Sequence, residues 1–575
     1  MTRPVKIYSS PYPSVPLVNR SVFTHLLGLE TPGYVGHWPA DQVVFVDAST
    51  GLKITRGQLR ALALSLGYGL KHSALHAQRG ETALVYAPNS LHWPVITFGT
   101  FAAGLRITLA NNAYNSRELA HQYTNSGAHL VFTTEEGLQT VRETFKEIGV
   151  SAADGDKRII IIDSLKWAGG PDVTATTASA GLVRLEDLLS LGSLTEEEKF
   201  EGQGDETTLL CYSSGTTGKP KGVETTHNNL TSIAEMVQSS TDISTHGLVL
   251  LAILPYYHIY GCVMQMFWTL RAGITTIIQA RFEPEAYCRN IQNFKVSFSL
   301  VVPPVLVMLA KHPIVEKYDL RSLEVMISGA APLGADLTHQ VKTRLAKLGT
   351  HVSLSQGYGL TETSPTATMV PTKKATECIG SIGYLLPNLE ARLVGEDGHD
   401  AKKGERGELW LRGPTIMKGY LKNPSATEEC ITKDRWFQTG DVAIRTKEGL
   451  YFIVDRKKEL IKYKGFQVPP AELESVLLSH PDIADAAVIG VYSEVQATEL
   501  PRAYIVPAKP LDEAQKAKFA KSVINWTRER VAKHKQLRGG VAVIDIIPKS
   551  AAGKILRREL RLKAEKETIP AKAKL

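Results

Sequence analysis

The chain has 575 residues, too many for one hydrophobic core, so two or more domains are expected. Apolar residues are 43% and charged residues 22%, the ordinary balance of a globular protein, with mean hydropathy near zero. The net charge of +8 suits anionic small molecules; its even spread, without basic arms or aromatic-basic stripes, argues against nucleic acid.

Met1–Arg20 lacks a continuous apolar core, so no secretory signal is expected. Thr82–Ala87 reads as a buried strand, Leu91–Ala103 as the helix after it, and Asn111–Leu119 as a loop and helix start. Residues 150–206, rich in Asp, Gly, Thr and Ala, read as an irregular surface excursion. Leu248–Pro255 and Phe298–Ala310 are the most apolar stretches. Both are too short for a bilayer, and Pro303-Pro304 interrupts the second, so they read as buried strand and helix. Beyond Asp455 come a Lys-rich turn, a helix over Pro470–Ser479, strands near Ala486–Val491 and Arg502–Val506, and a charged helix over Leu511–Lys535. The expected fold is α/β: a large domain of layered α/β subdomains, residues 1–455, and a small mobile α+β domain, residues 456–575. Five scattered cysteines without a CxxC pair point to a reducing compartment and to neither disulfides nor zinc.

The densest chemistry lies in Cys211–Val223, CYSSGTTGKPKGV, led in by the strand-like Thr207–Leu210. Small hydroxyl and glycine residues followed by two lysines present donors and cations to a polyphosphate, which a plain flexible linker would not. It is not a Walker A loop, because Pro220 follows Gly218-Lys219 and Ser213 stands in the first glycine position. Leu254–Gly261, LPYYHIYG, is an aromatic stretch with one histidine, His258, that a buried core would also accept. Ser328–Pro332 reads as a turn. In Gln356–Glu362, QGYGLTE, glycines let backbone approach a planar ring, Tyr358 can stack on it, and Glu362 can hold a hard cation. Trp436–Asp441 places a carboxylate after a Thr-Gly turn, able to grip a diol. Lys458–Val468 is dense in lysine, and Pro548–Arg558 sets Lys554 after Gly553, a mobile point charge on a loop.

In this order the motifs resemble those of the adenylate-forming enzymes: acyl- and aryl-CoA synthetases, peptide-synthetase adenylation domains and firefly-type luciferases. The resemblance runs from about Pro39 to Leu562 and is nearest to the 4-coumarate–CoA ligase-like branch. It implies that Ser213, Ser214, Gly215, Thr216, Thr217, Gly218 and Lys221 cradle the phosphates of ATP. It sets Ala330 at the adenine floor with Gln356, Gly357 and Tyr358 around the ring, Thr361 at the α-phosphate, and Glu362 on Mg²⁺. Asp441 and Arg456 would hold the ribose. Lys458 would be the hinge of a domain swing that presents Lys462, Gly465 and Gln467 for transfer to coenzyme A. Lys554 would act at the carboxylate and α-phosphate, although Ala552 stands where relatives often carry Ser or Thr. His258 would gate the carboxylate's path, and Tyr260, Met264, Ile327, Pro365 and Thr366 would line the acid pocket with it.

A carboxylate is a poor acyl donor until it attacks the α-phosphate and gains AMP as leaving group. The implied activity is therefore an ATP- and Mg²⁺-dependent acid–CoA ligase for an arylalkenoate, arylalkanoate or medium-chain acid. Loading of a carrier-protein thiol is weighed down because no carrier domain follows Lys554, and a luciferase-like oxygenase because Tyr257-His258 replaces a histidine pair. A dead binding protein would be expected to lack Glu362 or Lys554. The final Ala573-Lys574-Leu575 resembles the Ser-Lys-Leu address, implying a peroxisomal import receptor as partner and a peroxisomal, otherwise cytoplasmic, location.

Overall fold

The computed structural model describes residues 5–171, 173–213, 219–464, 466–494, 496–550 and 553–568. Thr82–Tyr86 is buried at every position, as a near-continuous apolar run requires, and it pairs in parallel with Arg106–Ala110 and Ala128–Thr133. These strands are the middle of an eight-stranded sheet. Thr207–Ser213 pairs in parallel with Arg106–Ala110 and antiparallel with Lys221–Thr226, so Ser213 stands directly opposite Lys221. The predicted phosphate segment therefore joins two neighbouring strands. The expected irregular excursion over 150–206 needs correction: Ile159–Ile161 is a fully buried strand of this sheet, and Leu185–Ser190 is a helix with Leu185 and Leu188 buried. Its low apolar content hid one short strand, because three isoleucines suffice where both faces are covered.

A second sheet of nine strands carries the other half of the large domain. Its parallel centre runs Ser353–Gly359, Val325–Ser328, Phe298–Val301, Val249–Ala252, Thr275–Ile278 and Val43–Asp47. Helices Pro303–Lys311 and Ala335–Lys347 are the crossovers between its successive strands. One continuous apolar core spans both sheets. The helix His92–Ala102 is buried over its whole length, and the rings of Phe98, Phe101 and Phe267 meet at centroid distances of 5.4 to 6.1 Å.

A third sheet, of five strands, includes Phe437–Arg445 and Tyr451–Arg456, whose pairing sets Asp441 opposite Arg456. The division expected after Asp455 falls one residue before that strand ends. From Ile461 onward the chain builds apolar clusters from its own residues, around Leu473, Val488 and Ile505 and around Ile489, Tyr504 and Leu560. Strands Ile483–Ser493 and Thr498–Pro507 contain the expected ones, while the charged helix is shorter than expected, Glu513–Arg528. Among the described residues no helix is long and apolar enough to cross a membrane.

Candidate active site

The parallel strands of the nine-stranded sheet end on one side, and ligand crevices form beyond such carboxyl ends. There the sheets and the small domain enclose a cavity of about 900 Å³. Its polar wall includes Ser213, Lys221, Thr361, Glu362, Thr439, Gly440 and Arg456 from the large domain. Lys458 comes from the segment joining the domains, and Lys462, Ser550 and Lys554 from the small domain. Its apolar wall is Tyr257, Tyr260, Met264, Leu300, Ile327, Pro365 and Met369, with Thr366 and His258 between.

Tyr358 lines the cavity, and its hydroxyl donates to Asp441 Oδ2 at 2.7 Å. Arg456 Nε lies 3.3 Å from Asp441 Oδ1, so aromatic ring, carboxylate and guanidinium form one unit across two sheets. Burial first, and the Asp441 charge next, push the Tyr358 phenol well above its ordinary range, which keeps it a donor. Asp441 itself is 3% exposed and sits just behind the Thr439-Gly440 wall, where its backbone N–H donates to Thr439 Oγ1 at 3.0 Å. Glu362 is 7% exposed and receives the Tyr420 hydroxyl at 2.8 Å. Among the described residues no lysine or arginine pairs with it, so a buried carboxylate with a single phenol donor faces the cavity. That donor set fits a hard divalent cation. Lys221 Nζ stands 4.2 Å from the centroid of the Tyr420 ring, a cation–π contact that fixes the lysine beside it.

His258 caps the short helix that begins at Ile259: its Nδ1 accepts the Tyr260 N–H at 3.2 Å, which leaves the ring proton on Nε2. Burial first, and the Lys554 charge second, lower its pKa to about 4, so it is neutral near pH 7. Tyr260 donates to the Ile327 carbonyl at 3.2 Å. Its ring lies on the backbone of Gly329, where a Cβ would come 2.9 Å from Tyr260 Cζ; only glycine leaves room for it. Ala330 also lines the cavity and holds φ +66, a left-handed conformation that few non-glycine residues adopt. Burial, then the Arg456 charge, lower Lys554 to about 8, while Asp441 and Glu362 pull the other way.

The cavity thus brings together most of the predicted set. Ser213, Lys221, Ala330, Gly357, Tyr358, Thr361, Glu362, Arg456, Lys458, Lys462, Lys554 and all six predicted acid-pocket residues line it. Three residues are not in the cavity wall: Asp441, just behind it, and Gln356 and Gln467, which stand apart. Gln356 is buried inside its strand, its backbone carbonyl accepting from Val370 at 2.9 Å, and it is not in the cavity wall. Gln467 lies on the Phe466–Val468 strand of the small domain and donates to Glu396 of the large one. Ser214, Gly215, Thr216, Thr217, Gly218 and Gly465 lie outside the described residues. Sequence reasoning missed Tyr420, on a two-residue edge strand with no motif around it, and Leu300 and Met369, which look like any apolar strand residue until the sheet end is closed.

The family model "AMP-binding enzyme" matches residues 34–421, and "AMP-binding enzyme C-terminal domain" matches residues 472–554. The probable 4-coumarate–CoA ligase 1 of Dictyostelium discoideum is 35% identical over 525 residues, 91% of this chain and 92% of that one. 4-Coumarate–CoA ligase 2 of Petroselinum crispum is 35% identical over 544 residues, 92% of each chain. Among solved structures, O-succinylbenzoate coenzyme A synthetase from Bacillus subtilis in complex with ATP and magnesium ion superposes with TM-score 0.74 at 25% identity, over 94% of this chain and 99% of that one.

Proposed function

Because the chain belongs to the AMP-binding enzyme family and is an AMP-forming acid–CoA ligase, we propose that its acid is aromatic, an arylalkenoate or arylalkanoate, or medium-chain aliphatic. One observation carries this: Glu362, Arg456 and Lys554 converge on the polar half of a cavity whose other half is walled by Tyr257, Tyr260, Met264, Leu300, Ile327 and Met369. An apolar wall without a fixed charge favours an acid whose only ionised group is the carboxylate.

The residues divide the work. Tyr358 gives a flat face for the adenine of ATP, and the Asp441–Arg456 pair presents a carboxylate and a guanidinium for the ribose hydroxyls. Glu362 is the residue that would hold Mg²⁺, which when bound supplies charge neutralisation to the polyphosphate. Lys554 brings a cation to the side of the cavity closed by the small domain, where the acid's carboxylate and the α-phosphate must meet and negative charge develops. Attack of the carboxylate oxygen on the α-phosphate breaks the bond to pyrophosphate and leaves an acyl adenylate. The thiol of coenzyme A then replaces AMP at the acyl carbon. Neutral His258, its Nε2 proton free to donate, sits between the polar and apolar halves without adding a second positive charge beside Lys554. Lys458 is proposed as the hinge for the change of partner, and Lys462, Gly465 and Gln467 as the face turned toward coenzyme A. The Ala573-Lys574-Leu575 ending, outside the described residues, is proposed as an address read by a peroxisomal import receptor.

The test is product formation by the purified protein with Mg-ATP across aryl acids and fatty acids of graded length, with and without coenzyme A. Thioester and AMP together from aryl or medium-chain acids are expected. Activity confined to acids with a second charge, or to long chains, would overturn the acid class.

A further inference from the structure

Lys554 sits on a loop of the small domain, so its place in the cavity is only as definite as the seating of that domain. The helix Pro303–Lys311 of the large domain touches the small domain at both ends. At its start, a Cβ on Gly553 would come 3.4 Å from Pro304 Cγ and Cδ, so the residue preceding Lys554 rests on that proline. At its end, Lys311 Nζ donates to the backbone carbonyl of Ile483 at 2.7 Å. Seven residue steps at 1.5 Å rise, from Pro304 to Lys311, separate these contacts by about 10 Å. One contact is a pivot; two at that spacing fix an orientation.

The far contact is wired to the catalytic loop. Ile483 opens the strand Ile483–Ser493, and Asp485 on that strand pairs with Lys549 at 2.7 Å. Lys549 in turn bridges to Ile555 across the turn in which the Ser550 N–H donates to the Lys554 carbonyl at 2.8 Å. Two other crossings have less leverage or less burial. The Ala471 N–H donates to Asp455 at 3.0 Å beside the hinge, and Gln467–Glu396 is exposed to solvent. Lys311 is half-buried, and burial lowers its pKa even with Asp482 nearby, as expected of an ammonium drawn out of water toward a partner in another domain.

We propose that Lys311 is a positioning residue for Lys554, holding the small domain in the orientation that forms the acyl adenylate and playing no part in thioester formation. This rests on the acid–CoA ligase reading above and on the role it gives Lys554. A charge-assisted hydrogen bond to a carbonyl is strong enough to bias an orientation and weak enough to release within a turnover. A misplacement of about 1 Å at the reacting atoms is enough to slow chemistry up to about a hundredfold.

The experiment compares Lys311→Met, which keeps the aliphatic stem, Lys311→Arg, which keeps the donor, and Lys554→Ala in the full-length protein. Each is assayed for acid-dependent ATP–pyrophosphate exchange and, separately, for thioester formation from supplied acyl adenylate and coenzyme A. The expected result for Lys311→Met is an exchange rate about tenfold lower with thioester formation unchanged, and recovery of most of that loss in Lys311→Arg. Unchanged exchange in Lys311→Met, or equal loss in both half-reactions, would overturn the proposal while Lys554→Ala still abolished exchange. Normal exchange in Lys554→Ala would overturn it from the other side, by removing the lysine that Lys311 is said to place.

Discussion

Lys554 shows how a surface-type residue becomes a functional one. On an exposed loop its ammonium would titrate near 10.5; buried in the cavity and facing Arg456, it is lowered to about 8. In the role proposed for Lys554 the protonated form stabilises charge at the α-phosphate, so raising the pH through about 8 would remove that cation. kcat/KM for ATP in pyrophosphate exchange, which reports the free enzyme, is therefore expected to hold level below pH 8 and to fall above it. Lys554→Arg should shift that descending limb beyond the measurable range, because a guanidinium stays charged there. An unchanged limb in that variant would assign the titration to another group. Lys554, Glu362 and Asp441 are all legible as residue types in recognisable strings. The Tyr420 phenol on Glu362 and the Tyr358 phenol on Asp441 are not, because each hydrogen bond crosses between sheets far apart in sequence.

The element that shapes the acid pocket is the helical run after His258, where one π-helical turn, Val263–Phe267, interrupts the α-helix. Such turns displace side chains from the α register and gather at functional sites. Here Met264 on that turn reaches the cavity wall, while Gln265 points into the core, fully buried. Gln265 Oε1 accepts the Leu254 N–H at 3.3 Å and its Nε2 donates to the Leu254 carbonyl at 2.9 Å, tying the turn to the loop that carries Tyr257 and His258. Gln265→Leu keeps the volume but strands the Leu254 N–H, at about 1–3 kcal/mol, while the Leu254 carbonyl keeps the Asn89 Nδ2 donor at 2.9 Å. The expected outcome is a lower melting temperature together with a raised KM for the acid and a nearly unchanged KM for ATP. Equal change in both Michaelis constants would mean that Gln265 supports the whole domain rather than the pocket. A one-residue bulge leaves no compositional mark in the sequence.

At the scale of the whole molecule, the decisive feature is that Lys554, the lysine proposed as catalytic, and most of the cavity wall belong to separately cored bodies joined near Lys458. In the described residues the Lys458 N–H donates no hydrogen bond, whereas its neighbours do: Lys457 to the Gly440 carbonyl at 2.8 Å and Glu459 to the Arg456 carbonyl at 2.9 Å. Proline at 458 therefore removes no observed bond but locks φ near −65°. Lys458→Pro is expected to retain pyrophosphate exchange within a few-fold and to lose most thioester formation from supplied acyl adenylate, measured as the two separate half-reactions. Loss of exchange instead would show that the present orientation does not tolerate the locked backbone, and full retention of both would remove Lys458 as hinge.

The sequence alone determined the chemistry through a resemblance: its loop motifs, in their order, match those of the adenylate-forming enzymes, and such motifs are legible because each is a short local string. It also determined the strands whose apolar runs are long enough to read, such as Thr82–Tyr86 and Phe298–Val301. Only the tertiary structure decided which of those motifs meet. Gln356 left the cavity, Tyr420, Leu300 and Met369 entered it, and Lys311 came to hold a domain some 170 residues further along the chain. The reason is physical. Hydrogen-bond partners and cavity walls are set by how sheets stack and how two domains dock, and that information belongs to distances between elements, which no local window of residues contains.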